Sequence, residues 1–241
     1  MFEALYQPDL SFCFMWVTAL TFFFFFKSFL PGTLAWHDKI ILVVLVTGWL
    51  FLQWVLSAKG YYLNFTGMPP RMALALLPPI LIICLIIIFK KKAWLNIFSL
   101  KILTWLHIIR IPVELILLGL FFDKQIPKLM TFEGRNFDIL SGLSAPVVAY
   151  FCFNKSNCNR KKVMLIWNFV CLGLLLNIVI NAILSAPFQF QKFAFDQPNV
   201  AIAFFPFIWL PSFVVPVVLF SHLASIYLLI TLKDTEKKID L

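Results

Sequence analysis

The stretch IFSLKILTWLHIIRIPVELILLGLFF, from Ile97 to Phe122, is apolar over more than the roughly 20 residues a helix needs to cross a bilayer at 1.5 Å rise per residue. Within it stand Thr104, His107, Arg110 and Glu114. Steps of three, three and four residues align these side chains on one helix face. A charged side chain at a helix centre costs about 2.5–3.5 kcal/mol on insertion scales, so such residues face a bundle interior and have partners. An Arg110–Glu114 ion pair at i, i+4 would neutralise itself and lock helices together. The same stripe is the expected place for a substrate or proton site, and Pro112, which lacks a backbone donor, predicts a kink between the two charges.

The rest of the chain has the same character. Of its 241 residues, 62% are apolar and 13% charged, and the mean hydropathy is +0.93. A soluble domain carries about 45–50% apolar and about 25% charged residues, so these charges are too few to cover a water-facing surface. The reading is an all-α, polytopic transmembrane bundle forming a single domain over residues 1–241, in a cell membrane.

Seven spans are expected, at approximately residues 10–30, 39–58, 71–89, 97–122, 138–153, 162–184 and 205–232. The fifth is the shortest, and Asp138 is suited to cap its start. The first is preceded by Glu3 and Asp9 instead of a basic segment, is too long for a signal peptide and has no small-residue cleavage site after it, so it is expected to stay as a helix.

Basic residues set the orientation. With the N-terminus outside, the cytoplasmic side receives thirteen: Lys27, Lys39, Lys90–Lys92, Lys101, Lys155, Arg160–Lys162, Lys233, Lys237 and Lys238. The outer side receives six, Lys59, Arg71, Lys124, Lys128, Arg135 and Lys192, which favours N-out and C-in. The formal charge of +9 is thus a topology signal and implies no nucleic-acid partner. Phe22 to Phe26 and Ile80 to Ile88 read as lipid-facing or core surface.

The outer loop TFEGRNFD, Thr131 to Asp138, carries Glu133, Arg135 and Asn136. Counted from Ile97, Arg110 lies about 20 Å and Glu114 about 25 Å along the helix, in the outer half of the membrane beneath this loop. As a solvated turn the loop would use Gly134 for an unusual backbone angle and Asp138 as a cap. Arg71, after Pro69 and Pro70 at the outer entrance to the third span, approaches from the same side, and three arginines there suit a carboxylate, a phosphate or a lipid headgroup. Asn177, Asn181 and Ser185 align on one face of the sixth span, as interhelical hydrogen bonds or as pocket lining. In the seventh, Pro211 and Pro216 predict a bend, and His222 is expected near the cytoplasmic end, far from the charged cluster.

Known chemistries find little support. The seventh span has no lysine before Lys233 for a retinal Schiff base, and receptor-type triplets are missing, so helix count is the whole likeness and no family is claimed. Phosphate-binding loops, zinc motifs and nucleophile elbows are absent. Cys13, Cys84, Cys152, Cys158 and Cys171 imply neither a disulfide framework nor a metal, and no cofactor is expected. Asn64-Phe65-Thr66 is a glycosylation sequon on an outer loop.

The expected function is binding or transport of a small anionic or amphipathic, lipid-like ligand. Arg110 would be the anion anchor, Glu114 its partner or a proton acceptor, Arg71, Glu133 and Arg135 the rim, with Asn136, Asn177 and Asn181 lining the pocket. An enzyme using His107 or Glu114 for proton transfer on a lipid-borne substrate is the second class. An accessory subunit whose charged stripe pairs with another membrane protein or a second copy is the third.

Overall fold

A computed structural model describes residues 8–29, 34–89, 97–154 and 160–231 of the chain. The basic residues Lys90–Lys92, Lys155, Lys233, Lys237 and Lys238, with Cys158, lie outside the described residues. The described chain is helical: α1 (Pro8–Lys27), α2 (Trp36–Ala58), α3 (Ala73–Phe89), α4 (Leu100–Phe122), α5 (Ile139–Asn154), α6 (Arg160–Ser185) and α7 (Leu210–Thr231). Short 3-10 turns at Tyr61–Leu63, Lys128–Met130 and Ala201–Ala203 punctuate the connections.

Five of these helices, α1, α2, α4, α6 and α7, are long and apolar enough to cross a membrane. The helices α3, of 17 residues, and α5, of 16, are apolar but shorter. Over the described residues, the expected third and fifth spans are therefore helices shorter than full spanning length. The fourth helix begins at Leu100 instead of Ile97, because Ser99 caps it and accepts a hydrogen bond from the Ile102 amide at 3.5 Å.

Local chemistry explains these helices. Pro8 opens α1, where its missing N–H costs nothing, with Asp9 in the first turn and Lys27 in the last to match the helix dipole. Hydroxyls inside apolar segments donate to their own helix: Thr18 to Phe14 O, Thr21 to Val17 O, Thr104 to Leu100 O and Ser221 to Val217 O, all within 3.0 Å. This hides their polarity where no water competes.

Two helices are reshaped by proline. Pro112 cannot donate to Ile108 O, and α4 tightens into a 3-10 turn at His107–Ile109 just before Arg110. In α7 a π-turn spans Leu210–Val214 around Pro211. Pro216 leaves Ser212 O without its helical donor, and the Trp49 indole N–H of α2 donates there instead, at 2.9 Å. A second indole, Trp209, donates back to Leu50 O at 3.0 Å.

Helix α7 is the most buried and packs on α6, α4, α3 and α1, while α2 lies at the periphery. Phe25, Phe29, Phe98 and Phe220 form an aromatic knot where α1, α4 and α7 meet. On the other flank α4 packs on α5 across Gly142, where an added Cβ would stand 2.8 Å from Ile111 Cγ1 and 3.0 Å from the Ile111 amide nitrogen. That close approach brings the start of α5 against Arg110.

Candidate functional site

The stripe on α4 faces inward, and Thr104, His107, Arg110 and Glu114 are all buried. Arg110 and Glu114 do not pair with each other. Arg110 Nη2 stands 2.8 Å from Asp138 Oδ1 and 3.5 Å from the Cys171 carbonyl of α6, while Nη1 stands 3.2 Å from His222 Nε2 on α7. Asp138 occupies the position before α5 where a cap was expected, and its carboxylate is directed to the guanidinium.

The tautomer of His222 follows from its partners. Asn168 Nδ2 donates to Met164 O at 2.8 Å, which leaves Asn168 Oδ1 as the acceptor for His222 Nδ1–H at 2.9 Å. His222 Nε2 then carries the lone pair and accepts from Arg110, so this imidazole is neutral. His107 stacks on it with ring centroids 4.0 Å apart, and Trp167 stands edge-on to His107. Both His107 nitrogens are buried without a hydrogen-bond partner.

Glu114 is held from above. The tight coil after the Lys128–Met130 turn is closed by Gly134 N to Thr131 O at 2.8 Å and Asn136 N to Thr131 O at 3.3 Å, which turns the Asn136 side chain inward. Asn136 Nδ2 donates to both Glu114 oxygens, at 2.6 and 2.7 Å, and approaches Met130 O at 3.0 Å. Its Oδ1 accepts from Asp138 N at 3.0 Å in an Asx-turn. One side-chain amide thus holds the Glu114 carboxylate and the Asp138 backbone. The reason for glycine at 134 is space rather than backbone angle: its φ is not positive, and an added Cβ would lie 2.2 Å from Lys128 O.

Beside this cluster is a cavity of about 100 Å³, lined by Glu114 and Asp138 and otherwise by apolar residues, among them Leu76, Val113, Leu117, Ile178 and Val215 from α3, α4, α6 and α7. Leu76, Val179 and Ile183 are part-exposed, as are Leu210, Pro211 and Val215 of α7, so the lining reaches the outer surface of the bundle.

The other expected site residues lie elsewhere. Arg71 stacks on Tyr61, 4.8 Å from the ring centre, and donates to Tyr61 O at 3.3 Å. Arg135 lies 5.8 Å over Phe193, and its carbonyl accepts from Asn177 at 2.8 Å. Glu133 meets Lys128 at 4.0 Å on the surface. Asn181 donates to Asn177 O at 2.9 Å along its own helix. None of these lines the cavity, nor do His107 and Arg110. Each of the three arginines thus has partners of its own.

Sequence reasoning placed His222 far from the cluster, and the structure corrects this. With α4 beginning at Leu100, Arg110 is about 15 Å from the N-terminal end of its helix, and His222, nine residues before Thr231, is about 14 Å from the C-terminal end of α7. The two stand at the same depth. Asn168 gave a fainter signal, as an amide set among apolar residues in the first half of α6.

No curated protein and no solved structure matches the chain. A family model described as a domain of unknown function, DUF8737, matches residues 68–230, which takes in α3 to α7 and hence every residue of the buried cluster and the cavity. With more than half its length matched, the chain belongs to the DUF8737 family.

Proposed function

We propose that this is a seven-pass protein of a cell membrane, N-terminus outside and C-terminus cytoplasmic, which binds an amphipathic ligand in the cavity beneath the loop at residues 123–138. All seven helices are spans in this reading, α3 and α5 being short ones that locally thinned lipid or flanking residues accommodate. The ligand's apolar part occupies the space between α3, α4, α6 and α7. Its polar end meets Glu114 and Asp138.

The observation that carries this reading is an apolar cavity with two acidic residues, Glu114 and Asp138, in its lining. Arg110 is engaged by Asp138, His222 and the Cys171 carbonyl, which leaves it poorly placed to anchor an anion. The lining therefore favours a positively charged or hydrogen-bond-donating head over the negatively charged one first expected. Engineered cavities of about 150 Å³ hold benzene, so a space of about 100 Å³ suits a short alkyl segment.

Saturation-transfer NMR on the purified protein in nanodiscs, with hexylammonium and hexanoate as probes and protein-free discs as blank, tests the pocket. Hexylammonium is expected to bind and hexanoate not, and Leu117→Trp, which fills the cavity, to abolish binding. Equal binding of both probes, or binding that persists in Leu117→Trp, overturns the proposal. Orientation is tested by labelling Glu133→Cys on intact cells with a membrane-impermeant thiol reagent, which should react from outside.

A further inference from the structure

Resting on that pocket, we infer that Glu114 exchanges one proton for the positive head of the ligand, so that binding a cationic amphiphile releases a proton to water. The inference comes from charge geometry. Facing Glu114 are Arg110 from its own helix, one turn away, and Asn136 and Asp138 from the outer loop and the start of α5. Cys171 of α6 and His222 of α7 stand behind Arg110. Helix α3 and the residue before it present only Leu76 and Met72.

Among these groups there is one guanidinium and two carboxylates. The guanidinium closes on Asp138 at 2.8 Å, His222 is neutral by its hydrogen bonds, and the partner that holds both Glu114 oxygens is a neutral amide. An ionised Glu114 therefore puts one negative charge in excess at a site shielded from water. An uncompensated buried charge is strongly disfavoured, and a carboxyl group escapes that cost by taking up a proton.

An ammonium head removes the need for the proton. As it docks at the end of the cavity, the O–H bond of the Glu114 carboxyl breaks and the proton passes to bulk water. The carboxylate and the ammonium then form an ion pair without any covalent bond between protein and ligand. Asp138 does not take this part, because Arg110 already balances its charge. Asn136 suits both states, since its amide donates to a carbonyl oxygen of the acid or to a carboxylate.

Calorimetric titration of hexylammonium into the protein in nanodiscs, repeated in buffers of different ionisation enthalpy, measures protons released per ligand bound. The expected result is about one proton per ligand for the parent. In Glu114→Gln no release is expected, with hexylammonium binding weakened about tenfold or more while neutral hexanol binds as before. Hexylammonium binding without proton release in the parent overturns the proton exchange and leaves the pocket standing. No hexylammonium binding at all overturns the pocket and the exchange with it. Undiminished release in Glu114→Gln, with its loss in Asp138→Asn, overturns the assignment to Glu114. Should Glu114→Gln fail to fold, the stoichiometry of the parent still decides whether a proton is exchanged.

Discussion

Arg110 Nη2 and Asp138 Oδ1 lie 2.8 Å apart, both side chains buried, joining the middle of α4 to the start of α5 across 28 residues of sequence. Removing one partner strands the other charge. Arg110→Met and Asp138→Leu are each expected to cost about 3–5 kcal/mol, and the double variant to recover much of that loss. Thermal unfolding of the four proteins in one detergent checks this, and additive losses would contradict it.

The Trp49 indole replaces the backbone donor that Pro216 lacks at Ser212 O. Trp49→Phe should therefore destabilise by about 1 kcal/mol in the parent and by less in a Pro216→Ala background, where the residue-216 amide can donate within the helix. The double-mutant cycle is read by the same unfolding assay, and an equal cost in both backgrounds counts against the substitution of donors.

Gly134 and Gly67 provide a paired comparison. A methyl at 134 would lie 2.2 Å from the Lys128 carbonyl, whereas at 67 the nearest atom is 3.8 Å away. Gly134→Ala should shift the loop, loosen Asn136 from Glu114 and lower the unfolding temperature, while Gly67→Ala leaves it nearly unchanged. Binding of hexylammonium should weaken only in the first.

Tyr62, in the turn after α2, is buried, and its hydroxyl donates to Gln53 Oε1. Burial, with Tyr61 beside it, pushes the phenol from its ordinary 10.0 up to about 12, against the opposing pull of the Gln53 hydrogen bond. The folded state thus holds this proton more tightly than the unfolded state. Its contribution is full below the ordinary value and is lost as pH rises from about 10 to about 12. The parent should lose stability across that window relative to Tyr62→Phe, and the difference should vanish if the phenol titrates normally.

Helix type and the buried stripe were legible because each depends on short-range pattern. A run of apolar residues around Arg110 and Glu114 says that those side chains have partners, whatever the fold. Which partners they have depends on which helix faces meet, and no periodicity encodes that. Asp138 read as a cap because it precedes a helix, and only the close α4–α5 approach at Gly142 turns it into the counter-ion of Arg110. The grouping of Arg71 with Arg135 failed for a related reason. Both are expected on one side from the sequence, but Tyr61 and Phe193 hold them locally over their ring faces.

In the proposed seven-span arrangement, the way in past Leu76, Val179 and Ile183 faces hydrocarbon rather than the aqueous phase. A ligand using it is drawn from the bilayer, so site occupancy follows how strongly a compound partitions into lipid as well as how well it fits. Lengthening an alkyl probe beyond the cavity's reach should then still raise apparent affinity in water-referenced assays, and that gain should disappear when concentration is expressed per mole of lipid.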